Sequence, residues 1–293
     1  MLLRRLKSYR DIYRYHRQRS RVFAEHDYRQ VYLATRARLE EALGRPVEGL
    51  RMLDVGCGQR FPASLLFAAA GNRVTGIDTD LVVRRPGIGA FMRVWRANGF
   101  ERAAKTLARQ LLFDPTYHGR LAELCEVPLS GHGLDLRRLS ITERLPFPDA
   151  HFDAIISNAV FEHVPDVPAA LREVGRVLKT EGVLHIAIHL FPSLSGGHNM
   201  RWAFPDSDPP EDVPPWDHLR ERRCPAHVYL NEFTAADYRD AVTSVPEIRV
   251  DSWVTTQREG EGLLTPAIEN TLSERYSRED LLKREVVLIG HKL

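Results

Sequence analysis

The run Asp54-Val55-Gly56-Cys57-Gly58 limits the fold of this chain more than any other feature. It closes a short apolar stretch, Arg51–Val55, and precedes a run of small apolar residues over 63–70 that Gly71 and Asn72 end. Glycines let a backbone turn sharply and let a ligand approach without a clash at Cβ. A second apolar stretch, Arg73–Asp78, follows. Strand, helix and strand within about thirty residues make a βαβ unit, which requires a parallel sheet. Asp78 ends the second strand twenty positions after Gly58. A carboxylate there can accept two hydrogen bonds from ribose hydroxyls. A dinucleotide fingerprint needs a third glycine where this chain has Phe61, and Asp54 precedes the first glycine, so the pattern argues against a nicotinamide cofactor. A turn serving the sheet alone would not need the spaced Asp78.

The rest of the chain builds around that unit. Helices are expected over residues 91–112, 117–125, 167–179 and 234–242, the last with Thr234 as N-cap. In the first of these, Val94, Leu107, Leu111 and Leu112 are among the apolar positions. Strands are expected over 152–157, 183–190, 248–255 and 285–291. Residues 1–46 form a basic, helical N-terminal extension in which eight arginines and lysines crowd the first 21 positions against Asp11. Residues 47–293 form one α/β domain with insertions at 81–132, read as helical, and at 192–228, read as a cap. The cap is too long and too rich in Pro, Gly, Asp and Trp for an ordinary loop.

With these elements in place the chain resembles the class I S-adenosylmethionine-dependent methyltransferases, of the type 11 kind. The matching motifs are Leu53-Asp-Val-Gly-Cys-Gly58, Gly76-Ile-Asp78, the segment from Leu145 to Asp153, the segment from Ser157 to Pro165, and the helix and turn from Leu171 to Gly182. More loosely, the cap resembles a subset linked to surface polysaccharide building. The resemblance implies a Rossmann-like α/β fold with a mostly parallel seven-stranded sheet and helices on both faces. It implies S-adenosyl-L-methionine as cofactor. Asp54 and the backbone of Gly56, Cys57 and Gly58 would hold its methionine end, and Asp78 with neighbouring Thr79 its ribose. Asn158, Ala159 and His163, after the fourth strand, would line the cofactor and the reacting methyl. Where members often carry an acidic residue before the Leu-Pro-Phe segment, this chain has Ile141 or Ser140, depending on register. Thr142, Glu143 or backbone would then contact the adenine.

Methyl transfer from a sulfonium is an in-line displacement in which positioning supplies much of the rate. An oxygen nucleophile also needs a base, most often histidine. His189, His163 and His198 are the candidates; His218 and His227 are further cap histidines. Each has a plain alternative as a packed or surface residue. Their spacing is too loose to predict a metal ion, and none is assigned. Trp202 and Trp216 either stack on a sugar face or anchor the cap. The expected function is O-methylation of a saccharide or glycan-linked hydroxyl. The alternatives are methylation of a quinone or other small molecule, or a non-catalytic cofactor-binding scaffold.

Composition adds boundaries. Lys plus Arg number 41 and Asp plus Glu 39, so the net charge of +2 names no partner. No base-methylation motif follows the fourth strand, and no continuous basic track suggests nucleic acid. Three scattered cysteines, Cys57, Cys125 and Cys224, point to a reducing, cytoplasmic setting rather than a disulfide framework. No apolar run reaches the roughly 18 residues of a spanning helix. The basic N-terminus suggests peripheral contact with anionic lipid.

Overall fold

The computed structural model describes residues 19–125, 127–202, 210–226 and 228–293. Most of the basic run, together with His227, lies outside them. Among the described residues, no helix is long and apolar enough to cross a membrane. The chain divides into two compact units, residues 1–140 and 141–293.

In the first unit, β1 (Arg51–Val55) pairs in parallel with β2 (Arg73–Asp78), and β2 with β3 (Leu134–Arg138). Met52, Leu53 and Val55 are buried, as both faces of a parallel strand covered by helices must be. The helix Pro62–Ala69 begins after Phe61, whose φ is +42°, and carries Pro62 in its first turn, where a missing N–H costs nothing. Its residues Ala63 to Ala68 are buried, so the run of small side chains serves close helix–sheet packing. Strand β3 was not anticipated. Its sequence, Leu-Asp-Leu-Arg-Arg, has only two apolar positions and mostly exposed residues, as an edge strand allows.

The insertion is helical, as expected, but its first helix is two. Ile88–Asn98 and Phe100–Leu112 are separated by Gly99, whose φ of +88° suits only glycine well. Asn98 fixes the break: its side chain accepts from Leu81 N at 2.9 Å and donates to Leu81 O at 3.2 Å. Breaking the helix re-aims its apolar stripe. Val94, Ala103, Thr106 and Gln110 are buried, whereas Leu111 and Leu112 are exposed. The third helix of the insertion is Asp114–Leu124.

In the second unit, β4 (Phe152–Asn158) runs parallel to β5 (Leu178–His189). Strand β7 (Lys283–Lys292) is antiparallel to β5, and β6 (Ile248–Arg258) antiparallel to β7. The helix Val167–Val177 is capped by Asp166, whose Oδ1 accepts from Ala169 N at 2.9 Å. Its buried Ala170, Leu171, Val174 and Val177 follow the i, i+3, i+4 pattern of a core-facing stripe. Thr234 caps the helix Ala235–Thr243 as expected and forms a reciprocal capping box with Asp237. The cap is packed: Trp216, Trp202, Leu194 and Val213 share a core with Leu281 and Leu282. With orders β3-β2-β1 in the first unit and β4-β5-β7-β6 in the second, seven mostly parallel strands give the expected Rossmann-like α/β fold.

Candidate functional site

The first unit brings Asp54, Gly56, Cys57, Gly58 and Asp78 together at the carboxyl ends of β1 and β2. Gly56 and Gly58 have φ of +71° and +69°, so the turn depends on both being glycine. Its amides are already used. Gly56 N and Cys57 N both donate to Ile77 O, at 2.8 and 3.0 Å. Gly58 N donates to Asp78 Oδ2 at 3.0 Å. The turn therefore presents carbonyl oxygens, not N–H groups, to a ligand, which suits a donor such as an ammonium. Asp78 also accepts from Asp80 N at 2.8 Å. Those two bonds fix its orientation and leave about half of a carboxylate's four acceptor positions for hydroxyls. Burial pushes the Asp78 carboxyl up against the pull of the two amides. Thr79 follows at the strand end, and its carbonyl accepts from Arg138 Nε at 3.0 Å.

Asp54 faces inward and is almost fully buried. Its Oδ2 accepts from Ser64 Oγ at 2.5 Å. Burial raises its carboxyl to about 6, against the pull of Ser64. Asp54 thus braces the turn from beneath. Ser64 is a residue that sequence reasoning missed, and Gly76 is its signal. A Cβ on Gly76 would lie 2.7 Å from Ser64 Oγ and 2.8 Å from Leu136 Cδ2, so only glycine lets the serine approach. Burial and the two nearby carboxylates push the Cys57 thiol far up, so it is inert.

In the second unit, Asn158 ends β4 with its amide Nδ2 buried and unpartnered. Ala159 adopts a left-handed φ of +52° and donates its N–H to Ala187 O at 2.9 Å. Thr142 is half-buried in the turn after Ile141, and Glu143 is exposed.

Three of the predicted histidines meet in this unit. The His198 ring centroid lies 4.8 Å from those of both His163 and His189. His163 belongs to the short 3-10 turn Phe161–His163 after β4, and His189 ends β5. His163 Nδ1 donates to the carbonyl of Tyr229 at 2.8 Å, so its neutral ring keeps a lone pair on Nε2. His189 Nε2 lies 2.9 Å from Ser195 Oγ and 3.3 Å from Ser193 Oγ. His198 has a left-handed φ of +51° at the end of Gly196-Gly197. A Cβ on Gly196 would sit 2.3 Å from Phe191 O, and one on Gly197 2.5 Å from the His218 ring. Burial holds His189 well below its ordinary value, and burial, with the neighbouring His163 imidazole, lowers His198 to about 4. His218 stands apart as a structural residue, its Nε2 donating to Phe191 O at 2.9 Å.

Glu162 joins this cluster unforeseen. It is buried, and neither carboxylate oxygen has a hydrogen-bond partner. Desolvation outweighs the pull of the nearby Glu162 and His189 amides and raises it to about 8. Its signal in the sequence was the Glu-His pair itself, read only for its histidine. The two indoles do not form a sugar platform. Trp216 is fully buried and Trp202 nearly so, and both belong to the cap core. They anchor the cap, the second of the two roles expected for them.

Comparison with known proteins identifies the family. The methyltransferase-domain family profile matches residues 23–243. A malonyl-[acyl-carrier protein] O-methyltransferase of Erwinia pyrifoliae is 32% identical over 48% of this chain, and the match spans 44% of that relative. One of Serratia marcescens is 28% identical over 64% of this chain and 71% of its own length. A solved S-adenosylmethionine-dependent methyltransferase from Mesorhizobium loti covers 86% of this chain and 95% of its own, at 16% identity and a TM-score of 0.46. The chain thus spans less than half the length of the first of these relatives. The profile match covers most of the chain and takes in the glycine turn, Asp78 and the histidine cluster. The chain belongs to the methyltransferase-domain family.

Proposed function

We propose that this protein transfers a methyl group from S-adenosyl-L-methionine to an oxygen of a small-molecule acceptor. The observation that carries the reading is the turn with Asp78. Two amides orient that carboxylate and leave it acceptor capacity for a pair of ribose hydroxyls. The carbonyl side of Gly56, Cys57 and Gly58 suits the amino group of the methionine end, and Asp54 holds the turn in shape through Ser64. Asn158, with its orphaned amide, and Ala159 are the contributions we assign to β4. Thr142 is assigned to the adenine. The cofactor, when bound, supplies an electrophilic methyl on a sulfonium.

The histidine cluster serves the acceptor. His163 is the proton acceptor in this reading. Its Nδ1–H is committed to Tyr229 O, and its Nε2 lone pair can take a hydroxyl proton while that bond stays intact. His189 and His198 remain neutral at physiological pH because burial disfavours their charged forms. They orient the acceptor and help to exclude water rather than hold its proton.

An oxygen acceptor is supported by the relatives named O-methyltransferases. The saccharide expectation loses the feature that favoured it, because both indoles are buried. A carboxyl or hydroxyl of a non-sugar acceptor, the quinone-like alternative included, is now the better-supported class. Peripheral membrane contact rests on the basic N-terminal run, most of which lies outside the described residues. Three unpaired cysteines support a cytoplasmic setting. The test is an acceptor screen reading release of S-adenosylhomocysteine. Turnover with at least one oxygen acceptor, lost in His163→Ala at unchanged cofactor affinity, is expected. Turnover confined to carbon or nitrogen acceptors would refute the reading.

A further inference from the structure

Among its described residues, the second unit holds a group of side chains with metal-ligand chemistry. Glu162, His189 and His198 each offer one ligand atom, and these atoms all lie within 4.8 Å of one another. We propose that they form a binding site for a single divalent transition-metal ion of the zinc or iron(II) kind.

The first support is orphaned chemistry. Both Glu162 carboxylate oxygens and His198 Nε2 are buried without a hydrogen-bond partner. A buried polar group left unmatched costs about 1–3 kcal/mol, more when charged. Pairing these groups with each other does not remove the cost. His198 Nε2 lies 3.8 Å from Glu162 Oε1, too far for a hydrogen bond. One cation would satisfy all three residues at once.

The second support is the tautomer of His189. Ser195 donates its single hydroxyl proton to Glu259 Oε1 at 2.7 Å, and Ser195 N donates to the same oxygen at 2.6 Å. Towards His189, Ser195 Oγ can then only accept, so Nε2 carries the proton and Nδ1 keeps its lone pair. Metal-bound histidines are commonly fixed this way, their second nitrogen donating to a carboxylate-anchored partner. Glu259, itself buried, ends a chain from carboxylate through serine to imidazole.

The third support is the backbone. Holding His198 at φ +51° is unfavourable for a non-glycine residue, and such strain persists where surroundings enforce it. Gly196 and Gly197 allow the turn to press against Phe191 and His218, where any side chain would clash. Two imidazoles and one carboxylate suit zinc or iron(II) rather than magnesium or calcium, which prefer all-oxygen shells. Donors about 2.0–2.2 Å from a tetrahedral ion lie about 3.4 Å apart, so the cluster needs only a small contraction. Three protein ligands leave positions open, where an acceptor oxygen would bind and lose its proton more readily. That use of the ion rests on the O-methylation proposed above; the site itself does not.

The test uses the full-length, untagged protein purified without chelator. Elemental analysis should find close to one equivalent of zinc or iron. After stripping with EDTA, calorimetric titration should show one site for Zn2+ and for Co2+, with cobalt d–d bands in the visible, and no heat with Mg2+. Glu162→Gln and His198→Ala should each weaken Zn2+ binding at least a hundredfold, with S-adenosylmethionine affinity held within threefold and the circular dichroism spectrum unchanged. Glu162→Gln keeps the side chain's shape and decides the matter should His198→Ala not fold. Wild-type protein that binds neither Zn2+ nor Co2+ tighter than millimolar overturns the proposal. So do variants that bind Zn2+ as the wild type does.

Discussion

The glycine turn of the first unit and the histidine cluster of the second treat buried polar groups in opposite ways. In the turn almost everything is paired. Asp54 is matched by Ser64, Asp78 by two amides, and the amides of Gly56 and Cys57 by Ile77 O. In the cluster, Glu162 and His198 face each other unmatched, and strain is held at His198. The turn is complete before a ligand arrives and needs only to be shaped for it. The cluster is a place where stability has been given up, which proteins tolerate at functional sites.

The contrast can be broken by substitution. The largest effect on stability is expected away from both regions, at the anchor of the cap. Trp216→Ala should cost about 3–5 kcal/mol, because a fully buried indole leaves a cavity. Urea unfolding measures it, and a loss under 1 kcal/mol would mean that the cap is not anchored there. In the turn, Gly56→Val should weaken S-adenosylmethionine binding at least a hundredfold, since valine strongly disfavours φ of +71°. Normal affinity by calorimetry would put the cofactor elsewhere. In the cluster, His163→Ala should lower turnover about a hundredfold, the low end of general-base contributions, and leave cofactor affinity within a few-fold. Equal loss of both would erase the distinction between the regions. Ser64→Ala should cost about 1–3 kcal/mol, because it strips the partner from a buried carboxyl. Replacing a cluster residue with a neutral isostere, as in Glu162→Gln, should cost less than that in the metal-free protein.

A smaller effect separates the two regions by pH. The Asp54 carboxyl is raised to about 6 in the fold, from an ordinary value near 4. The folded state therefore binds the proton more tightly than the unfolded state. Its contribution is fully present below about pH 4 and is lost as the pH rises through about 6. The loss is up to about 3 kcal/mol. Asp54→Asn removes that titration, so its stability relative to wild type should rise between pH 4 and 7. Parallel wild-type and variant profiles would contradict the burial-driven shift.

How much of this was legible follows the same division. The turn was legible because its residues are contiguous and their spacing to Asp78 is set by one βαβ unit. Its brace was not: Ser64 is one small residue among several on a buried helix, and only the approach of Gly76 singles it out. The central strands read well because their apolar runs are continuous, while β3 escaped notice because an edge strand can be mostly charged. The insertion was legible as helical, but not the break at Gly99, which turns on one dihedral angle and the Asn98 side chain. In the cluster, the three histidines were visible singly. Their meeting was not, because residues 162, 189, 198 and 259 come together only through β-sheet pairing and the cap. The cap indoles had two plausible roles by composition, and burial chose between them.

The most direct test of the central claim is a calorimetric titration of the purified protein with S-adenosylmethionine and S-adenosylhomocysteine. The structure predicts one site of micromolar affinity for each, abolished in Gly56→Val. Absence of binding for both ligands, in protein that unfolds cooperatively, would contradict the assignment of the Asp54–Gly58 turn and Asp78 as a cofactor site.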